Sequence, residues 1–193
     1  MNIADEEMRM AQERPPRSVI AVLQEQHSQI RQLFAQVKAT HGANRQMSFD
    51  RLRELLAIHE VGEELVLRPA SSKIVTSDVT QARNNEEREA AKALAELESL
   101  SVDSAEFNTK FAQLEHDVDE HAQREEQEEF PVVNAECNEE EQRRMATELL
   151  KAQQKAPTHP HPGPAGSTTA VRVVGPFAAL LDKARDAYAD RSD

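Results

Sequence analysis

The sequence predicts an all-α protein, an up-down-up-down four-helix bundle with an extra C-terminal helix after a proline-rich linker. Three observations predict this fold. Glycine supplies only 5 of the 193 residues, 30% of the residues are charged, and hydrophobic residues recur at intervals of three and four rather than two. Signals for β-hairpins are nearly absent, which leaves helices as the elements of the fold.

The first two predicted helices are bounded by residues typical of helix ends. The first follows Pro15 and Pro16, which open a helix but do not continue one, and it ends at Gly42. The second begins near Ser48, a good N-cap residue, and stops at Pro69. Each is roughly 20 residues long, the length of a bundle helix.

The next helices have boundaries of the same kind. The third begins near Ser77 or Asp78, and the fourth begins after Ser104 and stops at Phe130 and Pro131. The short polar links between the four helices favour antiparallel neighbours. We therefore expect one bundle with a single hydrophobic core.

The chain divides into four predicted segments. They are a disordered N-terminal arm at 1–16, the bundle with a trailing helix at 17–152, a Pro/Gly/Ser/Thr linker at 153–175, and a short amphipathic tail helix at 176–193. Asn138 and Glu141 resemble a capping box at the start of the trailing helix. The tail helix is too small to fold alone, so we expect it to dock on the bundle or on a second subunit, as in a homodimer.

Composition excludes several classes of function. The formal net charge of −12 opposes binding to nucleic acid or to an anionic membrane, and with no Trp and one Tyr the chain lacks a base-stacking surface. No stretch approaches the ~20 apolar residues of a membrane span, and the polar N-terminus is not typical of a secretory signal. Together with a single cysteine, Cys137, these features predict a soluble cytoplasmic protein.

Polar residues interrupt the apolar stripes of all four predicted bundle helices. His27, for example, follows Leu23 by four residues and precedes Ile30 by three, so it points in the same direction as both. The inward-pointing histidines and carboxylates are His27 on the first helix, His59 and Glu63 on the second, Glu87 on the third, and His121 and Glu125 on the fourth.

Such residues are costly in a core unless they are paired or bound to metal. Three buried glutamates carry three negative charges, which two divalent cations and a bridging hydroxide would neutralise. A lone His-x-x-x-Glu on an acidic helix carries little information, but this sequence has two, each in phase with the stripe of its own helix. Mixed imidazole and carboxylate ligands suit iron or manganese better than structural zinc.

Three segments, IAVLQEQHSQIRQLF, LLAIHEVGEELVLRP and LEHDVDEHAQREEQEEFP, resemble the signatures of hemerythrin-like (HHE cation-binding) proteins over about residues 17 to 135. The linker and tail are similar to those of actinobacterial members. The resemblance implies a bundle that holds two non-haem iron ions with an oxo or hydroxo bridge, and manganese is an alternative. By position, His27 and His59 would bind one iron and His121 the other, with Glu63 and Glu125 as bridging carboxylates.

The third helix departs from the family pattern. Oxygen-carrying hemerythrins have a His-x-x-x-His pair there, whereas this helix contains no histidine and offers Glu87, or Glu86 if the register differs by one. The resemblance then implies fewer neutral nitrogen ligands and one vacant ligand position, open to water or substrate. Anionic ligands stabilise ferric iron, which favours peroxide or redox chemistry over reversible oxygen carriage.

Three functions remain open, and the sequence identifies no catalytic residue. The slightly favoured one is decomposition of H2O2 or another redox response, which would make the protein a catalase-like or peroxidase-like enzyme. The second is a carrier or sensor that binds O2 or NO without turnover. The third is an interaction protein that metal stabilises, with the tail helix as its contact.

Overall fold

A computed structural model describes residues 18–72 and 76–155, and all the elements in these ranges are helices. They are α1 (Val19–Ala39), α2 (Gly42–Gly62), the π-helical segment π1 (Glu63–Leu67), α3 (Arg68–Ser71), α4 (Ser77–Glu98), α5 (Ala105–Arg124), the π-helical segment π2 (Glu125–Glu129), α6 (Phe130–Glu136) and α7 (Glu139–Lys155). The predicted helical bundle is confirmed, with α7 as an additional helix. The N-terminal arm, the tail helix and all but the first residues of the linker lie outside the described residues, so the contact predicted for the tail stays a prediction.

Several predicted helix starts are confirmed by their caps. Ser18 and Ser104 each accept a hydrogen bond from the backbone N–H three residues later, both at 3.1 Å. At the start of α7, Asn138 Oδ1 accepts from the Glu141 N–H at 3.0 Å, and Glu141 Oε2 accepts from the Asn138 N–H at 2.9 Å. This reciprocal pair is the predicted capping box.

The predicted boundary between the first two helices is wrong. Gly42 begins α2 rather than ending α1, and Ser48 lies inside α2, where its hydroxyl donates to the Asn44 carbonyl. Gly42 has φ of 54°, in the left-handed region that only glycine adopts freely, and this lets the chain reverse within two residues of Ala39. The Asp103 carboxylate accepts the Gly42 N–H at 3.0 Å, so a distant residue stabilises the helix start.

The prediction that prolines stop the second and fourth helices is also wrong. Both helices continue through Pro69 and Pro131 after five residues of π-helix. In π1 the Arg68 N–H donates to the Glu63 carbonyl, five residues back. An α-helical turn would set the proline ring against the carbonyl four residues back, and the wider turn avoids that clash.

Two apolar clusters form the core, one at each end of the bundle. The first joins the far half of α1 to α2, α4 and α5, and the second joins the first turns of α1 to π1, α6 and α7. Between the clusters lies a group of buried polar residues, which we call the polar belt. Its members are Gln26, His27, His59, Glu60, Glu63, Arg68, Glu87, His121, Glu125, Glu129 and Gln153. None of the described helices combines the length and the apolar content needed to cross a bilayer.

Candidate metal centre

The polar belt brings all six predicted ligands together. Their donor atoms form two groups, and within each group the atoms lie within 4.8 Å of one another. The first donor group is His27, His59, Glu63 and Glu125, and the second donor group is Glu60, Glu63, Glu87 and His121. Because Glu63 belongs to both, the two groups are adjacent and share a carboxylate.

The three histidines direct one ring nitrogen outward and the other into the belt. In each case an oxygen outside the donor groups accepts a hydrogen bond from Nδ1–H, which turns Nε2 into the belt. The pairs are His27 with Glu126 at 2.8 Å, His59 with Gln26 at 3.1 Å, and His121 with Glu86 at 3.0 Å. This is the arrangement in which proteins present histidine to a metal ion.

The inward nitrogens of His27 and His59 lie only 3.2 Å apart. With both Nδ1 atoms protonated, two lone pairs face each other across this gap, and a cation or a proton between them is needed to offset the repulsion. The His27 ring also stacks on Phe130, with centroids 5.7 Å apart and planes 14° from parallel. The imidazole is therefore held in position before any ligand binds.

Glu63 and Glu125 are both fully buried, and among the described residues neither has a hydrogen-bond partner for its carboxylate oxygens. Glu125 Oε2 lies 3.5 Å from His27 Nε2, and its Oε1 lies 3.3 Å from His121 Nε2, so this carboxylate faces both donor groups. Glu63 Oε1 lies 3.4 Å from His59 Nε2. Buried carboxylate oxygens without a hydrogen-bond partner, next to inward-facing imidazole nitrogens, fit a bound cation.

In the metal-free centre, burial shifts the pKa values of several groups and so changes which of them are charged. Burial raises the pKa values of Glu60 and Glu63 well above the usual range, and it lowers the pKa of His59. Burial opposes the charged forms of His121 and Glu125 as well, but their mutual attraction outweighs it. The pKa of His121 is therefore raised and the pKa of Glu125 is lowered, which leaves an ion pair between them.

The structure places Glu87, rather than Glu86, in the second donor group. Glu86 lies outside it, where it accepts from His121 Nδ1 and from Arg124 Nη1 at 2.6 Å and forms an ion pair with Arg83 at 3.0 Å. Glu86 thus orients a histidine of the centre, and Glu87 occupies the position that the register on α4 predicts.

The sequence does not predict several members of the belt, among them Glu60 and Arg68. Glu60 adjoins the pair of His59 and Glu63, and from sequence alone it is expected on a solvated face or in outer hydrogen bonds, but the residue is only 6% exposed and its Oε2 has no partner among the described residues. Arg68 was not singled out at all. It is also buried and donates to both oxygens of Glu129, and its guanidinium contacts Glu87 and lies 3.5 Å from Glu125.

The family model for the hemerythrin HHE cation-binding domain matches residues 18–133, from the N-cap of α1 into α6. The chain belongs to this family. A hemerythrin-like protein of Schizosaccharomyces pombe (strain 972 / ATCC 24843) is 29% identical over 134 residues, which cover 68% of this chain and 66% of that protein, just under two thirds of its length. No solved structure gives a significant match. The hemerythrin domain and its two donor groups together identify a metal-binding protein.

The metal-free hemerythrin domain is expected to lose stability as the pH rises above about 6.5. In this range the raised pKa values of Glu60, Glu63 and His121 make the folded chain bind more protons than the unfolded chain. A folded state that binds the extra protons is destabilised when they are withdrawn. The lowered pKa of His59 acts in the opposite direction, but only below about its usual 6.5.

Thermal denaturation of chelator-treated protein across this range measures the effect. A bound divalent cation stabilises the ionised carboxylates, so the same scan on metal-loaded protein should not show the fall. An unfolding temperature that rises with pH in the metal-free protein would contradict the prediction.

Proposed function

We propose that this chain holds two non-haem iron ions and decomposes H2O2. The observation that carries the proposal is the pair of adjacent donor groups that share Glu63, with inward nitrogens and unpartnered carboxylate oxygens on both sides. A single ion would leave one of the groups unsatisfied. Two ions, bridged by carboxylates, satisfy both.

The residues divide between two sites. His27 and His59 would hold the first iron, and His121 and Glu87 would hold the second. The two oxygens of Glu125 approach nitrogens of both groups, and Glu63 belongs to both groups. These two carboxylates would therefore be the ligands that the two ions share. Mixed nitrogen and oxygen ligands support iron or, as the alternative, manganese.

The charges of the belt support two divalent ions. Arg68 and Glu129 form a hydrogen-bonded pair with no net charge. The remaining ionised carboxylates, Glu63, Glu87 and Glu125, carry three negative charges against the four positive charges of two divalent cations. One net positive charge remains in a buried site, and this charge favours an anionic or strongly polar small ligand.

A cavity of about 340 Å³ leads from the surface to the centre. It lies between α1 and α5, and its lining includes His27, Phe34, Leu56, His59, Glu60 and His121. At its rim Arg31 joins the two helices by donating to Asp119 at 2.7 Å and to Glu126 at 3.3 Å. A molecule the size of H2O2 fits this space, and the apolar part of the lining limits the entry of water.

Disproportionation of H2O2 needs no other reductant. One molecule accepts two electrons and two protons to give two waters, and a second gives up two electrons and two protons to give O2. When bound, the two irons would supply the two-electron redox exchange. Glu60 would bind and release a proton at Oε2, because the residue lines the cavity, this oxygen has no partner among the described residues, and the pKa of the carboxyl is raised well above its usual range.

The apolar part of the cavity, with Ile30, Phe34 and Leu56, supports a second candidate function, reversible binding of O2 or NO without turnover. The same two iron sites would serve it. The two functions differ in whether proton transfer through Glu60 is needed, because binding a diatomic gas without turnover transfers no proton from substrate.

Metal analysis and O2 evolution test the proposal on the full-length chain expressed with added iron. We expect about two irons per chain and O2 evolution from H2O2 well above that of the same concentration of free iron. Glu60→Gln should keep its iron and lose most of the turnover, since an amide cannot carry the proton. The control Glu106→Gln, on the exposed first turn of α5, should change neither.

Three outcomes would decide against the proposal. A protein that binds only zinc, or no metal, would contradict the iron centre. Turnover no greater than that of free iron would contradict the peroxide function, and a reversible spectral change under O2 or NO would then support the second candidate. Full turnover in Glu60→Gln would contradict the role given to Glu60.

A further inference from the structure

Helix α7 lies beyond the segment that matches the hemerythrin family model, yet it reaches the polar belt. It packs against α1 and α2 through Leu149 and Leu150, which are buried in the second apolar cluster. Gln153, one turn later, is 1% exposed. The helix therefore brings a fully buried amide to the edge of the metal centre.

The Gln153 amide forms a reciprocal pair with the amide of Gln26. Gln26 Nε2 donates to Gln153 Oε1 at 3.2 Å, and Gln153 Nε2 donates to Gln26 Oε1 at 3.3 Å. The same Gln26 oxygen accepts Nδ1–H of His59 at 3.1 Å. Rotating the Gln26 amide alone by 180° would break all three hydrogen bonds, so the pair with Gln153 couples the orientations of the two amides and opposes rotation of Gln26 by itself.

The orientation of Gln26 decides which nitrogen of His59 carries the proton. With the Gln26 oxygen facing the ring, Nδ1 is protonated and Nε2 faces the first donor group as a lone pair. If Gln26 presented its NH2 group instead, Nδ1 would have to accept and Nε2 would carry the proton. A protonated Nε2 cannot bind a metal ion.

Gly62 leaves room for the Gln153 side chain. A Cβ atom at this position would lie 2.7 Å from Gln153 Nε2, so the amide would have to shift, and 3.0 Å from Leu149 Cγ, which is a tight contact. Gly62 stands three residues after His59 on α2, so the close contact between α2 and α7 occurs beside the ligand that Gln153 influences.

We propose that Gln153 is a positioning residue of the metal centre, which acts through Gln26 to hold His59 in the tautomer that binds metal. The inference rests on the proposed metal sites and extends them, because it makes the helix outside the matched segment part of the centre.

Full-length Gln153→Leu tests the proposal, with Gln154→Leu as the matched control, since Gln154 is the adjacent residue and is exposed. Leucine fills similar volume and removes the amide. Binding of Co²⁺, a spectroscopic probe for the Fe²⁺ sites, is measured by competition with a chromophoric chelator. We expect one of the two sites to bind Co²⁺ about tenfold more weakly or worse in Gln153→Leu, and neither site to change in Gln154→Leu.

Nitrogen NMR of the imidazole rings in the metal-free chain supplies a readout that a purely structural role would not change. Wild-type His59 should carry its proton mainly on Nδ1, and Gln153→Leu should show a more even mixture of the two tautomers. Gly62→Ala provides a second variant if Gln153→Leu does not fold, because alanine favours the helix while its methyl group displaces the Gln153 amide. It should show the same mixture.

The outcomes separate this inference from the proposed function. Wild-type protein that binds no Co²⁺ or iron contradicts the proposed metal sites. If the wild type binds two ions and Gln153→Leu binds them equally well, with His59 unchanged in the NMR spectrum, the role of Gln153 is wrong and the metal sites stand. If Gln153→Leu does not fold, an unchanged His59 tautomer in Gly62→Ala would likewise show that the role given to Gln153 is wrong.

Discussion

Replacing Glu63 by leucine is expected to stabilise the metal-free protein and to abolish tight metal binding. The Glu63 side chain is fully buried, and among the described residues neither oxygen has a hydrogen-bond partner. Burial and the charge of Glu125 raise its pKa well above the usual range, so the buried group is destabilising when ionised. Leucine removes this penalty, and the free energy of unfolding should rise by about 1–3 kcal/mol.

In the metal-loaded protein, Glu63→Leu is expected to lower the free energy of unfolding rather than raise it. Glu63 is the only residue that belongs to both donor groups found in the described part of the chain, so its loss should weaken both sites together. Denaturant unfolding with and without Co²⁺ measures the two effects on one variant. Glu106→Leu, at an exposed position, should leave the free energy of unfolding within about 0.5 kcal/mol of wild type, both with and without Co²⁺. A metal-free Glu63→Leu protein less stable than wild type would show that the carboxyl is satisfied without metal.

The sequence predicts those residues of the centre whose direction follows from the periodicity of their own helix. His27, His59 and His121 each lie in phase with the apolar stripe of their own helix, and all three turn inward in the structure. Glu63 and Glu125 follow a histidine by one turn and share its direction. Helical periodicity is local information, so it carries over to the fold without knowledge of the partner helices.

The missed parts depend on contacts between distant segments. Nothing in the sequence separates buried Glu60 from its partly exposed neighbour Glu64, because the cover over that face of α2 comes from other helices. Arg68 follows the five residues of π1, and the regular α-helical period of the sequence does not predict the change of register that a π-helical segment introduces. Ser48 has the chemistry of an N-cap, but a left-handed Gly42 and a carboxylate 61 residues away start the helix earlier.

Replacing Glu125 by leucine is expected to destabilise the metal-free protein, the reverse of Glu63→Leu. Both glutamates are fully buried and both follow a histidine by four residues, but their electrostatic surroundings differ. Glu125 forms an ion pair with His121, which lowers the pKa of Glu125 and raises the pKa of His121. Leucine would leave the buried imidazolium without this partner, at a cost of about 3–5 kcal/mol.

The pKa shifts of Glu125 and His121 determine the pH at which the stabilities of the two leucine variants should be compared. A carboxylate with a lowered pKa contributes stability above its usual value of 4.5, and a histidine with a raised pKa contributes below its usual 6.5. Both contributions are complete between these values, so chelator-treated protein should be unfolded with denaturant at about pH 5.5. Glu128→Leu, in the same π segment but 53% exposed at its side chain, is the control and should behave nearly as wild type. Two buried glutamates, each four residues after a histidine, would then have opposite effects on the metal-free protein, although both are needed for the metal-loaded one. The reason is that attraction to His121 outweighs the burial of Glu125, whereas the attraction of Arg68 and His121 for Glu63 is outweighed by burial and by the charges of Glu125 and Glu60. Equal destabilisation by both leucine variants would contradict this assignment.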